Sequence, residues 1–175
     1  MGIKRYDIVL FPRNKKDWVS GVLNWILRKF DPEYDQWCKE NGEYWHMAPI
    51  VKINSEGMIG TLDAMKGGSK INWRTSESLS ECRIYHWLDN EPEAWRGIGC
   101  AENLRGKDYD RGAYIGTVIC YFIKKWFHKS YRVWDDEYHC WELTCVFMRC
   151  LWKPLVDSRT YPLINEIIEI LEAKK

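Results

Sequence analysis

Cys140 stands where a polar stretch, residues 134–139, gives way to the helical apolar spacing of Leu143, Thr144, Phe147, Met148 and Leu151. A thiol at a helix amino terminus feels the positive end of the helix dipole and nearby unpaired N–H groups, both of which favour the nucleophilic thiolate. The N–H groups of Cys140 and Trp141 would also hold the oxyanion formed when that thiolate attacks a carbonyl. The competing reading is a small buried side chain, the commoner place for cysteine. A thiolate mechanism needs a base, and His46 opens a strand-like run, residues 46–53. A four-residue turn at 54–57 joins that run to a second, residues 58–64, as a hairpin. Ile53 then pairs with Met58, Asp63 falls opposite Ala48, and His46 and Asp63 become diagonal neighbours on one face. An acid in that place fixes the imidazole tautomer and stabilises the imidazolium. A slip of one residue would send Asp63 to the other face.

Other signals read more simply. Cys140, Cys145 and Cys150 step about 140° around a helix and do not converge as metal ligands, so neither a metal nor another cofactor is expected. His139 diverges from its neighbour Cys140, and His86 and His128 read as structural or exposed. Gly67 and Gly68 lack the Lys and Ser/Thr of a phosphate loop and mark a turn.

The elements that must position these residues follow from periodicity. Residues 6–11 (YDIVLF) read as a first strand stopped by Pro12. Trp18, Val22, Trp25, Ile26 and Phe30 recur at helical spacing, so residues 17–30 form a helix capped by Asp17, with this aromatic face read as core. Residues 31–44 are a polar, aromatic insertion to which the pattern gives no shape. Pro49 belongs at an edge or a bulge, because it cannot donate to a ladder. Residues 70–73 and 82–88 read as further strands. Pro92 opens a helix over 93–104, and helices follow over 112–127, 140–152 and 163–173. The last, rich in Ile, is expected to pack on the domain. Strands mostly precede helices, an α+β pattern, and 175 residues favour a single domain over 1–175.

Composition narrows the partners. Lys and Arg number 26 against 25 Asp and Glu, a net charge of +1, which argues against a nucleic-acid binder. Lys4, Arg5, Arg13, Lys15 and Lys16 form only a local basic patch. No apolar run reaches the ~20 residues needed to span a bilayer. The amino-terminal stretch lacks the zones of a signal peptide. Seven cysteines, an odd number, suit a reducing compartment. A cytoplasmic location is the expectation.

Taken together, these residues resemble the circularly permuted, papain-like cysteine hydrolases of the NlpC superfamily, the YiiX-like branch. DIVLF at residues 7–11 looks like the family's first strand, and residues 18–30 like the helix after it. WHMAPIVKI at 45–53 is similar to the strand that opens with the catalytic His. GMIGTLDA at 57–64 resembles the next strand, with an acid at the place of Asp63. GKDYD at 106–110 looks like the family's Gly-Lys-x-Tyr-Asp stretch, and YHCWEL at 138–143 like its nucleophile motif, usually Cys-Ser-Glu-Leu. The resemblance implies a small antiparallel sheet packed on helices, with Cys140, His46 and Asp63 as nucleophile, base and orienting acid, and Trp141 and Tyr109 lining the site or the oxyanion. It further implies an amidase, peptidase or acyltransferase that forms a thioester acyl-enzyme from a peptide, amide or acyl-ester substrate; peptidoglycan peptides, isopeptides and lipid acyl groups are all family substrates. Trp141 in place of Ser, Tyr6 in place of a frequent Gly, Pro49 and the 31–44 insertion depart from the pattern. They support the alternative of a structural or binding module with little turnover, a component of a larger assembly such as a phage tail or virion, in which case the chain would be incorporated in a virion.

Overall fold

A computed structural model describes residues 2–65, 67–86, 88, 94–108, 113–127, 140–151 and 164–173. The strands are β1 (Ile8–Pro12), β2 (Tyr44–Ile53), β3 (Ile59–Met65), β4 (Gly68–Arg74) and β5 (Arg83–Tyr85). The helices are α1 (Trp18–Phe30), α2 (Pro32–Asn41), α3 (Ala94–Leu104), α4 (Ala113–Phe127), α5 (Cys140–Cys150) and α6 (Ile164–Glu172), with a 3-10 turn at Glu77–Leu79. The α+β expectation holds. The strands form one antiparallel sheet in the order β4-β3-β2-β1-β5.

One face of the sheet carries the main core, where Ile8, Leu10, Met47, Val51 and Leu62 meet Leu143, Phe147 and Met148 of α5. Ile167, Ile168 and Leu171 of α6 join them, as the Ile-rich pattern predicts. A second core packs Leu23 and Leu27 of α1, Tyr34 and Cys38 of α2, and Val118, Tyr121 and Phe122 of α4 around Trp45. The other face of the sheet carries Val9, Ile50 and Ile59 against Leu79.

Asp17 caps α1, accepting from the N–H groups of Val19 and Ser20, as its residue type predicts. The aromatic face of α1 is a correction. Trp18, Val22, Trp25 and Phe30 are exposed, and the buried positions are Ser20, Leu23, Asn24 and Leu27. Asn24 is tolerated inside because its Oδ1 accepts from the Tyr34 hydroxyl at 3.3 Å. The 31–44 insertion contains a helix. Asp31 caps α2 through the N–H groups of Glu33 and Tyr34, and Pro32 occupies its first turn. Fully buried, Asp31 also accepts from the Tyr121 hydroxyl and, at 2.7 Å, from Lys125 of α4. Burial opposes its charge, but these donors outweigh it and hold the carboxyl below its usual pKa.

The β2–β3 loop is one residue shorter than expected. Ile53 pairs with Ile59, the Asn54 N–H bonds the Met58 carbonyl at 3.0 Å, and Gly57 takes φ 76. This is a three-residue loop closed by a left-handed glycine. The register then shifts between Ile50 and Lys52, and Ile50 pairs with Thr61. The bulge at Val51 restores the pairing that the sequence predicts for the far end of the hairpin.

Tyr6 is the only non-glycine residue at positive φ among the described residues (φ 67), and its ring is buried against Gly97 of α3. A Cβ at Gly97 would run into that ring, whereas one at Gly99 would meet nothing within 4 Å among the described residues. We therefore expect Gly97→Ala to destabilise the fold by about 1–3 kcal/mol through overpacking. Gly99→Ala should be neutral or stabilising by up to about 1 kcal/mol. Urea unfolding of the two variants checks this, and equal midpoints would refute the close contact.

Candidate functional site

Pro49 governs how β2 meets its neighbours. Backbone polar groups of a strand alternate sides. The N–H of Ile50 bonds the Asp7 carbonyl on the β1 side at 2.8 Å, so the groups of residues 45, 47 and 49 point towards β3. Pro49 has no N–H to offer there, and the described β2–β3 pairs end at Ile50–Thr61. Pairing with β1 continues through Pro49, Ala48, Met47 and His46. Thus β2 runs on through Pro49 paired on one side only, at an open edge beside a bulge, the setting expected for this proline.

The vacated side is taken by α5. The Thr144 hydroxyl lies 3.4 Å from the Met47 carbonyl and 3.0 Å from that of Cys140, one helical turn away. The Cys140 sulfur lies 3.9 Å from the Trp45 carbonyl oxygen. Cys140 and Trp141 open the described part of α5, Cys140–Cys150, where the sequence reading sets the nucleophile and the oxyanion donors. The Trp141 side chain and all of Tyr109 lie outside the described residues, as do Pro92, His128 and His139. Gly106 and Lys107, which open the GKDYD stretch, bond Ser69 at the start of edge strand β4.

His46 pairs with Phe11 on β1 and shares the sheet face of Ala48 and Ile50. Counting on from Ile50–Thr61 places Asp63 opposite Ala48 and diagonal to His46. The side chains meet: His46 Nε2 lies 2.5 Å from Asp63 Oδ1. The Asp63 carboxylate has no exposed surface, so its charge must be met from within. Thr61 donates to its Oδ2 at 2.6 Å, Asn72 donates at 2.9 Å, and Arg74 Nη2 reaches both oxygens at 3.2 Å. Burial raises the Asp63 pKa, but His46, Arg74 and Thr61 together hold it below its usual value. The Arg74 guanidinium also lies over the Phe11 ring at 4.5 Å, and that ring stands 5.0 Å from the imidazole. Phe11 and Arg74 thereby wall the dyad.

With Nε2 engaged by Asp63, the imidazole has Nδ1 left for the thiol. Burial disfavours the charged ring, yet interaction with a Cys140 thiolate and the bond to Asp63 win, raising the His46 pKa to about 10. Ion pairing is mutual, so the imidazolium stabilises the thiolate that stabilises it. Cys145, deeper in α5, is pushed up to about 12 by burial. Among the described residues, no three His, Cys, Asp or Glu side chains are grouped to hold a metal ion, and no helix is long and apolar enough to cross a membrane.

Thr61, Asn72, Arg74 and Thr144 were not singled out from sequence. The first three had a usable signal: the β3–β4 register pairs Thr61 with Asn72 and Ile59 with Arg74, on the face of Asp63. His86 forms a second imidazole–carboxylate pair, Nδ1 lying 2.6 Å from Asp7 Oδ1, which fits the structural reading. Comparison of the chain with protein-family models and with curated proteins finds no match.

Asp63→Asn and Cys140→Ala should each lower the His46 pKa, because each removes a group that favours the protonated ring. Proton–nitrogen NMR titration of the imidazole checks this, and an unchanged value in Cys140→Ala would place the thiol out of contact. The stability gained from the raised pKa is complete below the ordinary value of about 6.5. It is lost as pH rises through about 10.

Proposed function

We propose that the protein is a cysteine hydrolase or acyltransferase with a permuted papain-like fold, akin to the YiiX-like branch of the NlpC superfamily. The observation that carries this reading is the His46 Nε2–Asp63 Oδ1 contact of 2.5 Å with Cys140 beside it at the start of α5. The order of parts also supports it, with the histidine strand preceding the cysteine helix. So does Tyr6, whose φ of 67 suits the glycine that often stands there in the family.

In the proposed reaction, the Cys140 thiolate attacks an amide or ester carbonyl while His46 holds the proton. The resulting oxyanion faces the N–H groups of Cys140 and Trp141. His46 Nδ1 then passes its proton to the leaving amine or alcohol as the carbon–heteroatom bond breaks, leaving a thioester. Water deprotonated by His46, or an acceptor nucleophile, attacks the thioester and releases the thiol. Asp63 stays ionised throughout and keeps the ring turned, with Thr61, Asn72 and Arg74 holding it in place.

The complete burial of Cys140 favours a second reading, a module that keeps this arrangement without turnover as part of a larger assembly. One experiment separates the two. Iodoacetamide labelling of all seven cysteines at mildly acidic pH, mapped by mass spectrometry, should modify Cys140 first. His46→Ala should slow that labelling by about 10²-fold or more. Labelling of Cys140 no faster than the other thiols, and indifferent to His46, would leave the inactive module as the better account.

A further inference from the structure

The exposed aromatic residues of α1 are continuous with those of α4. Lys29 Nζ sits 4.8 Å from the Trp25 ring and 5.6 Å from that of Phe30. Phe30 meets the buried Phe122 edge-on at 6.4 Å, and the exposed Trp126 lies 4.8 Å beyond it, so the two faces join over a core ring. Trp18 and Val22 extend this ridge along α1, and Ile115 and Ile119 extend it along α4, all four exposed. Trp18 is 75% exposed, Trp25 57% and Trp126 58%. Single exposed apolar residues are ordinary, but a contiguous ridge of this kind marks an interaction surface.

Charge indicates the occupant. Neither α1 nor α4 contains an Asp or Glu, and both carry basic residues. Arg28, Lys124 and Lys125 are satisfied by ion pairs with Asp35 and Glu43, with Glu166, and with Asp31 and Glu33 respectively. Lys29 rises from the middle of the ridge, and Lys15 and Lys16 are exposed just before it. Among the described residues beside the ridge, Asp17 is engaged as the α1 cap and Glu33 by Lys125. A second copy bound symmetrically would set Lys29 near its own equivalent, and protein interfaces are depleted of Lys. Trp and Phe among Lys side chains suit the boundary of an anionic bilayer, where rings sit at headgroup depth and ammonium groups meet phosphates.

We propose that the α1–α4 ridge docks the protein on an anionic membrane surface, lying on it and not spanning it. The inference is independent of the cysteine chemistry. The full chain should co-sediment with vesicles of phosphatidylglycerol and phosphatidylcholine and far less with phosphatidylcholine alone. Trp25→Glu and Trp126→Glu should each weaken that partitioning on the order of tenfold, while their circular dichroism stays native. Lys29→Glu should weaken binding to anionic vesicles only. Trp73→Ser, at an exposed position on β4, and Cys140→Ala should bind as the parent does. Failure to bind either vesicle, or binding indifferent to the paired Trp25→Glu and Trp126→Glu changes, would overturn the proposal. So would concentration-dependent self-association without vesicles that the same changes abolish, since that would assign the ridge to a second copy.

Discussion

The parting of β2 from β3 beyond Ile50–Thr61 sets the geometry of the candidate site. A proline in the middle of a sheet ordinarily spoils a ladder. Here the loss falls on one side of one strand, and it frees the carbonyls of Trp45 and Met47 to receive side chains of α5. A fully paired hairpin would have kept those carbonyls for β3 and left α5 no backbone to grip. The first turn of α5 instead reaches the open edge of β2, beside His46.

Asp63 is the electrostatic counterpart of that opening. A carboxylate without solvent is costly unless paired and hydrogen-bonded, and here four side chains from three strands supply the donors. Hydrogen bonds to charged groups contribute about 1.5–3 kcal/mol each. The strand pairing therefore supports the dyad, and the dyad in turn joins β2 to β3 where the backbone ladder has stopped.

Much of this was legible in the chain. The helix over Cys140–Cys150, the Asp17 cap and the diagonal of His46 and Asp63 all follow from residue types and spacing. The diagonal was reached through two errors that cancel: the loop is a residue tighter than expected, and the bulge at Val51 returns the difference. Periodicity cannot see a bulge, because a single extra residue carries no signature apart from its neighbours. The α1 face was misread for a different reason. Its Trp and Phe residues have the spacing of a buried stripe, but Leu23 and Leu27, with Ser20 and Asn24, offer a narrower one that fits against α2 and α4. Spacing identifies an apolar face without saying what covers it. In residues 31–44 the Asp-Pro start of a helix was present, and the polar composition masked it.

The partners of the site also differ in how far apart they lie along the chain. The imidazole and its carboxylate are 17 positions apart, whereas the Cys140 thiol and the carbonyl it meets are separated by 95. Closing the first contact takes a hairpin; closing the second takes nearly the whole α+β assembly, at a greater entropic cost. During synthesis from the amino end, the base and its acid can settle early while the thiol has yet to be made. The three groups thus come together only after residue 140 has been added, so that a partly made chain carries the histidine pair without its sulfur.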